Sequence, residues 1–303
     1  MAWREWPLVA FTLLGQLATG IYLFLVLPAV FSGRPFERVA GRNPLLCVLG
    51  CVTAILGVAA AASFFHLGRP LGAPNALANL RTSWLSREIL FELLFIFFLA
   101  VLAFLFWRGR GEGGLAKTAA VLAAGVAVLF LISMARLYMV PGVPAWNRAA
   151  TPFSFIAATL VLGSLGGLAA GGVVSRAFGF AAAGYFLLSS PWGRVLAIVA
   201  AALVAVSVVG HALLTPCHGV LGRRAVPSLK PDLVPPAVFF ALRLVLLAGG
   251  GVVLLAALRP ALKGGPPGEG VAVFVWVAFG LAATSELLAR FQFYFYARGG
   301  GRR

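Results

Sequence analysis

Long stretches nearly free of charge recur along the whole chain. Each is about long enough to cross a hydrocarbon core of roughly 30 Å. Of the 303 residues, 61% are hydrophobic and only 11% are charged, with a mean hydropathy of +1.00. A soluble domain of this size cannot hide that much apolar side chain, so lipid must serve as solvent. The runs are continuous rather than alternating, which excludes the strands of a barrel. The sequence therefore predicts an all-α polytopic membrane protein: a single domain over residues 1–303, built as a bundle of eight transmembrane helices. The expected spans are about 7–31, 44–66, 86–107, 116–138, 152–173, 193–214, 236–258 and 270–290.

Local chemistry agrees with these boundaries. Pro44, Pro152 and Pro236 stand at or near the first turn of their helices, where a missing N–H costs nothing. Gly163, Gly167 and Gly171, at four-residue spacing, give the fifth span a smooth face for close helix contact. The stretch AFGFAAAGYFLL (177–188) is too short to span and is expected to lie along the interface. The first apolar run is too long for the core of a signal peptide, and no clear cleavage site follows it. Eight spans put both termini on one face, and on that face run the long connections 67–85, 139–151 and 216–235. Long loops in a compact protein are more often functional than spare.

The net charge of +16 arises from 24 Lys and Arg against 8 acids. The basic residues are scattered through short loops, which suits anionic lipid headgroups and an acidic partner surface rather than nucleic acid. They divide almost evenly between the two faces, so charge alone sets no orientation. Three cysteines (Cys47, Cys51 and Cys217) form neither a disulfide framework nor a metal-site pattern. Cys47 and Cys51 are one helical turn apart in an apolar run and are expected to pack there as small polarizable side chains.

Ionisable side chains in membrane spans are costly, so each is a functional hypothesis. They number eight here: His66, Glu88, Glu92, Arg136, His211, Arg243, Glu286 and Arg290, all but Arg243 toward the terminal face and Arg243 within two turns of that end of its helix. Glu286 and Arg290 are four apart on the last helix, the spacing and order of an intrahelical ion pair, with Arg243 either a further member of that structural network or the neutraliser of a partner carboxylate. The stretch HLGRPLGAPNALANLRTSWLSRE (66–88) closes the second span on His66 and opens the third around Glu88, which places the two at similar depth. Histidine exchanges protons near neutral pH, and a carboxylate partly removed from water is a usable base. Together they suit a lipid-soluble quinol that loses two protons and two electrons. On spacing alone, a capping histidine and a snorkelling glutamate fit equally.

Other classes are less well served. A b-type haem needs two facing axial ligands, and His66 with His211 supplies a single deep pair. Cys217-His218 lacks the form needed for covalent haem attachment. A transporter or channel would favour an inverted repeat with broken helices at the midplane, and no repeat is evident. A proton pump would need ionisable groups through the inner halves of the spans, which hold almost none.

The residues resemble one known family, the membrane anchor subunit of bacterial dimethyl sulfoxide reductase. The resemblance is carried by EWP at 5–7, FTLLGQ at 11–16, HLGRPLGAPNAL at 66–77, SREI at 86–89, RLY at 136–138 with VPAW at 143–146, TP at 151–152, LRLVLLA at 242–248 and SELLAR at 285–290. It covers nearly the whole chain. It implies a bacterial cytoplasmic-membrane complex in which an iron–sulfur subunit and a molybdopterin catalytic subunit are held on the outer, periplasmic face, where both termini would lie. It also implies a chain that itself binds neither metal nor haem, oxidises menaquinol and passes the electrons on in anaerobic respiration. The family's quinol-site histidine and glutamate fall on His66 and Glu88, with Arg69, Ser86, Arg87, Arg136 and Tyr138 as expected supports. A more distant likeness to polysulfide-reductase-type anchors adds Gln16 on the first helix. Loop 216–235 and the RGGGRR tail depart from the family pattern; they are candidate docking elements, and they leave the identity of the catalytic subunit open.

Overall fold

The computed structural model describes residues 6–32, 44–64, 77–144, 146–177, 191–214, 236–263 and 270–299. These form eight long helices and, among the described residues, no strand: α1 (Trp6–Ser32), α2 (Pro44–Phe64), α3 (Trp84–Trp107), α4 (Gly114–Leu137), α5 (Ala150–Ala177), α6 (Pro191–Leu214), α7 (Pro236–Leu262) and α8 (Val271–Gly299). All eight are long and apolar enough to cross a membrane. The expected spans match at most ends to within a few residues. The exception is α8, which continues well past residue 290 through FQFYFYARG. Arg290 is buried rather than interfacial, so its charge does not end the helix there.

The helices pack as two cyclic sets of four. In the first, α1 lies against α2 and α4, and α3 joins α2 to α4. In the second, α5 lies against α6 and α8, and α7 joins α6 to α8. The seam between the sets is led by the contact of α1 with α5, with α4 and α2 also against α5 and α8 against α1. That seam is closest at Gly20 and Gly163. A Cβ on Gly20 would collide with the Thr159 carbonyl and the Gly163 backbone, and one on Gly163 with the Gly20 backbone. Two hydrogens face each other where any side chain would force the helices apart. Gly167 makes only ordinary contact with Leu25, so the glycine face works chiefly through Gly163.

Two residues beyond Gly20, α1 passes into a π-helical segment, Tyr22–Val26. Its extra residue shifts the phase of the helix between the halves on either side. Tyr22 fastens it: the ring meets Phe95 edge-on at 5.2 Å, and the hydroxyl donates to the Ala120 carbonyl at 2.7 Å. Large apolar side chains such as Phe97, Val206, Val245 and Val252 stand outward on the lipid-facing surfaces. Cys47 and Cys51 also face outward and are exposed. This corrects their expected packing role, because α2 buries the neighbouring stripe Val48, Leu49, Val52 and Leu56 instead. The interfacial stretch expected after Ala177, loop 216–235 with Cys217 and His218, and the RGGGRR tail beyond Gly299 lie outside the described residues, as do His66 and Arg69.

Candidate functional site

The starts of α3, α5 and α7 meet the ends of α4, α6 and α8 at one end of the bundle, and there the buried polar side chains gather. Ser83 caps α3 by accepting a hydrogen bond from the Ser86 backbone N–H at 3.2 Å. Its first inward-facing residues are therefore Ser86, Glu88 and, one turn deeper, Glu92, all buried. Glu88 is 1% exposed, and neither of its carboxylate oxygens has a hydrogen-bond partner among the described residues. Oε1 of Glu92 is likewise unpartnered. A carboxyl buried without donors is expensive, and such a group is kept only where something else uses it.

Facing Glu88 is an aromatic wall. The Tyr294 hydroxyl donates to the Tyr138 hydroxyl at 2.7 Å, and Glu88 interacts electrostatically with both. Trp146 stacks on Phe293 with ring centroids 5.1 Å apart and planes 13° from parallel. Trp146 Nε1 also donates to the Phe293 carbonyl at 3.0 Å. Tyr138 touches Trp146, Phe155, Phe293 and Tyr294 at centroid distances between 5.3 and 5.5 Å. Tyr138 lies just past the end of α4, and burial pushes its phenol well above its ordinary range.

Gln16 and Arg290 complete the wall. Gln16 is fully buried; its amide nitrogen donates to the Phe155 carbonyl at 3.2 Å, and its oxygen accepts from Arg290 at 2.9 Å. The Arg290 guanidinium also lies over the Phe155 ring, 3.7 Å from its centre. The expected intrahelical Glu286–Arg290 contact is thus replaced. Glu286 pairs across helices with Arg243 at 3.7 Å, while Arg290 turns toward Gln16.

Arg243 and Glu286 belong to a second polar group with His211. The His211 Nδ1–H donates to the Ser207 carbonyl at 2.7 Å, its ring packs edge-on against Phe153 at 5.2 Å, and its Nε2 is buried without a partner among the described residues. Ser285 adds a hydrogen bond to the Arg243 carbonyl at 2.8 Å. Removing one partner of a buried ion pair strands the other, at a cost of about 3–5 kcal/mol. Glu286→Leu is expected to lower the thermal midpoint of the detergent-solubilised protein sharply, and Arg243→Met in the same chain to restore most of the loss. A single variant as stable as the parent would show the pair to be dispensable.

The remaining expected supports sit on the rim. Arg87 donates to the carbonyls of Leu80 at 2.8 Å and Arg81 at 2.6 Å and covers the Trp84 ring at 4.3 Å. Arg136 lies over the same ring at 5.4 Å and is exposed. The two arginines organise the entry to α3. Sequence reasoning missed Tyr294, Phe155 and Phe293. The one available signal was the aromatic run FQFYFY directly after a buried arginine.

A family model described as "DMSO reductase anchor subunit (DmsC)" matches residues 1–294. An anaerobic dimethyl sulfoxide reductase chain from Escherichia coli K12 is 30% identical over 296 residues, 96% of this chain and 94% of the relative. The protein of the same description from Haemophilus influenzae is 32% identical over 165 residues, 53% of this chain and 56% of its own length. A sulfite dehydrogenase subunit from Allochromatium vinosum is 41% identical over 81 residues, 26% of this chain and 24% of the relative.

Proposed function

Because the chain belongs to the family of dimethyl sulfoxide reductase membrane anchor subunits, we propose that it binds menaquinol at the polar end of the bundle and oxidises it for the complex it anchors. The quinol's two electrons leave for the nearest cluster of an iron–sulfur subunit, and through it for the molybdopterin subunit that reduces the terminal acceptor. Its two protons go to Glu88 and His66. The complex sits in the bacterial cytoplasmic membrane with its partner subunits on the outer face, where the protons are released.

The observation that carries this reading is Glu88: 1% exposed, with both oxygens free of donors among the described residues, and set against a wall of aromatic rings. An apolar ring system needs flat hydrophobic contact, and its hydroxyl needs an acceptor buried at the same place. Glu88 meets both conditions at the end of the bundle where α3 enters the membrane. The carboxylate takes a hydroxyl proton as the electrons depart, which is general-base chemistry. Ser86 and the Tyr138–Tyr294 pair line the same level, with Arg87 and Arg136 on the rim and Arg69 in the preceding connection.

The test is His66→Leu in the assembled complex. Reduction of the terminal acceptor by quinol is expected to be abolished, while reduction by an artificial soluble donor, which reaches the catalytic subunit directly, persists. Normal quinol oxidation by that variant would overturn the assignment.

A further inference from the structure

We infer that Arg290 is a quinol-binding residue: its guanidinium takes the ring oxygen opposite the one that meets Glu88, and Gln16 holds it in place. This rests on the quinol reading above and assigns the second end of the same site.

The contacts of Arg290 are not those of an ion-pair residue. It is 2% exposed, and the one carboxylate on its own helix face, Glu286, is engaged by Arg243. What Arg290 holds is neutral: the Gln16 amide oxygen at 2.9 Å and the face of Phe155 at 3.7 Å. A guanidinium carries five N–H donors, and here Nε has no partner among the described residues. Burial of a full charge against an amide and a ring leaves donor capacity to spare, which a carbonyl or phenolate oxygen can use. Gln16 fixes the orientation. Its nitrogen is committed to the Phe155 carbonyl at 3.2 Å, so its oxygen must face Arg290. It acts as a positioning residue.

Placement supplies the second argument. Arg290 is one turn before Tyr294 on α8, and Tyr294 is bonded to Tyr138 at 2.7 Å. Glu88, on α3, interacts with both tyrosines. Arg290 interacts with both tyrosines as well, so a base and a cation meet at the tyrosine pair, beside the rings of Trp146, Phe293 and Phe155. A para-diol bound at the tyrosine pair presents one hydroxyl to Glu88 and the other oxygen to Arg290. The near hydroxyl gives its proton to Glu88 and the far one to His66, and each proton that leaves ahead of its electron builds negative charge on a ring oxygen. A fixed cation at the far oxygen stabilises it without reorganisation.

The experiment uses the whole complex in membranes, a water-soluble naphthoquinol as donor, and equilibrium binding of the corresponding naphthoquinone. Arg290→Met is expected to weaken binding and raise KM by about ten- to a hundredfold, the loss of one hydrogen bond to a charged donor. Arg290→Lys should recover part of the affinity, because an ammonium keeps the charge but not the fork. The double variant Gln16→Leu/Arg290→Met removes the polar pair without stranding either partner, so it answers for a single variant that fails to assemble. It too is expected to bind naphthoquinone weakly. Parent-like binding and KM in the double variant would overturn the proposal, leaving Arg290 a structural group. Glu88→Gln run in parallel separates the two claims. If it stops naphthoquinol oxidation while the Arg290 variants keep parent KM, Arg290 alone is misassigned. If it too oxidises naphthoquinol normally, the quinol reading itself fails.

Discussion

Glu88→Gln is expected to cut quinol-dependent turnover by about a hundredfold or more, with the anchor still inserted and the complex still assembled. The substitution keeps the size and planarity of the side chain and removes only its ability to take a proton. It adds no buried charge and introduces an amide where two oxygens already lack donors among the described residues. The fold therefore has no reason to object. Glu92, one turn deeper and also buried, cannot take over, because its carboxyl lies about 6 Å further along the axis of α3. Turnover with naphthoquinol, measured beside turnover with a soluble donor, decides the matter. Quinol turnover within a few-fold of the parent would overturn the quinol reading of this site.

Gly163→Ala, a change of one methyl group, is expected to damage the protein more than any conservative change elsewhere in α5. The new Cβ would collide with the backbone of Gly20, and backbone cannot rotate out of the way as a side chain can. Relief requires α1 and α5 to separate along the whole seam, so the cost should exceed the roughly 1–3 kcal/mol of ordinary overpacking. Gly57→Ala on α2 is the internal comparison, since a Cβ there meets nothing within 4 Å. The amount of anchor recovered in membranes and the thermal midpoint of the solubilised complex are expected to fall for Gly163→Ala and hold for Gly57→Ala. Equal behaviour of the two would show that the helices do not cross where Gly20 and Gly163 meet.

Most of the fold was legible in the sequence because a bilayer simplifies the problem. Length and apolarity alone set eight helices, and prolines at 44, 152 and 236 marked three starts. What could not be read was which helices touch. The glycine face on α5 announced a close contact, but its partner, Gly20, sits in an undistinguished ATGI and is found only by folding. The same holds for the polar groups. Glu88 was visible as a charge at the edge of an apolar run. The pairing of Glu286 with Arg243 and not with Arg290 turns on where α7 lies relative to α8, which helical spacing does not encode. Tyr294 was hidden because it belongs to an aromatic run that reads as ordinary interfacial anchoring.

The seam between the two helix sets has a further consequence for biogenesis. Gln16, Glu88 and Tyr138 come from the first set, and Phe155, Arg290 and Tyr294 from the second. Chains are made from the amino terminus, and Arg290 and Tyr294 are on α8, so this group of side chains is completed only after α1 to α7 have been made. A partly inserted anchor holds a carboxylate and a tyrosine but not the other wall. Under the proposed function, the order of synthesis thus delays any capacity to draw electrons from the lipid pool until α8 is in place.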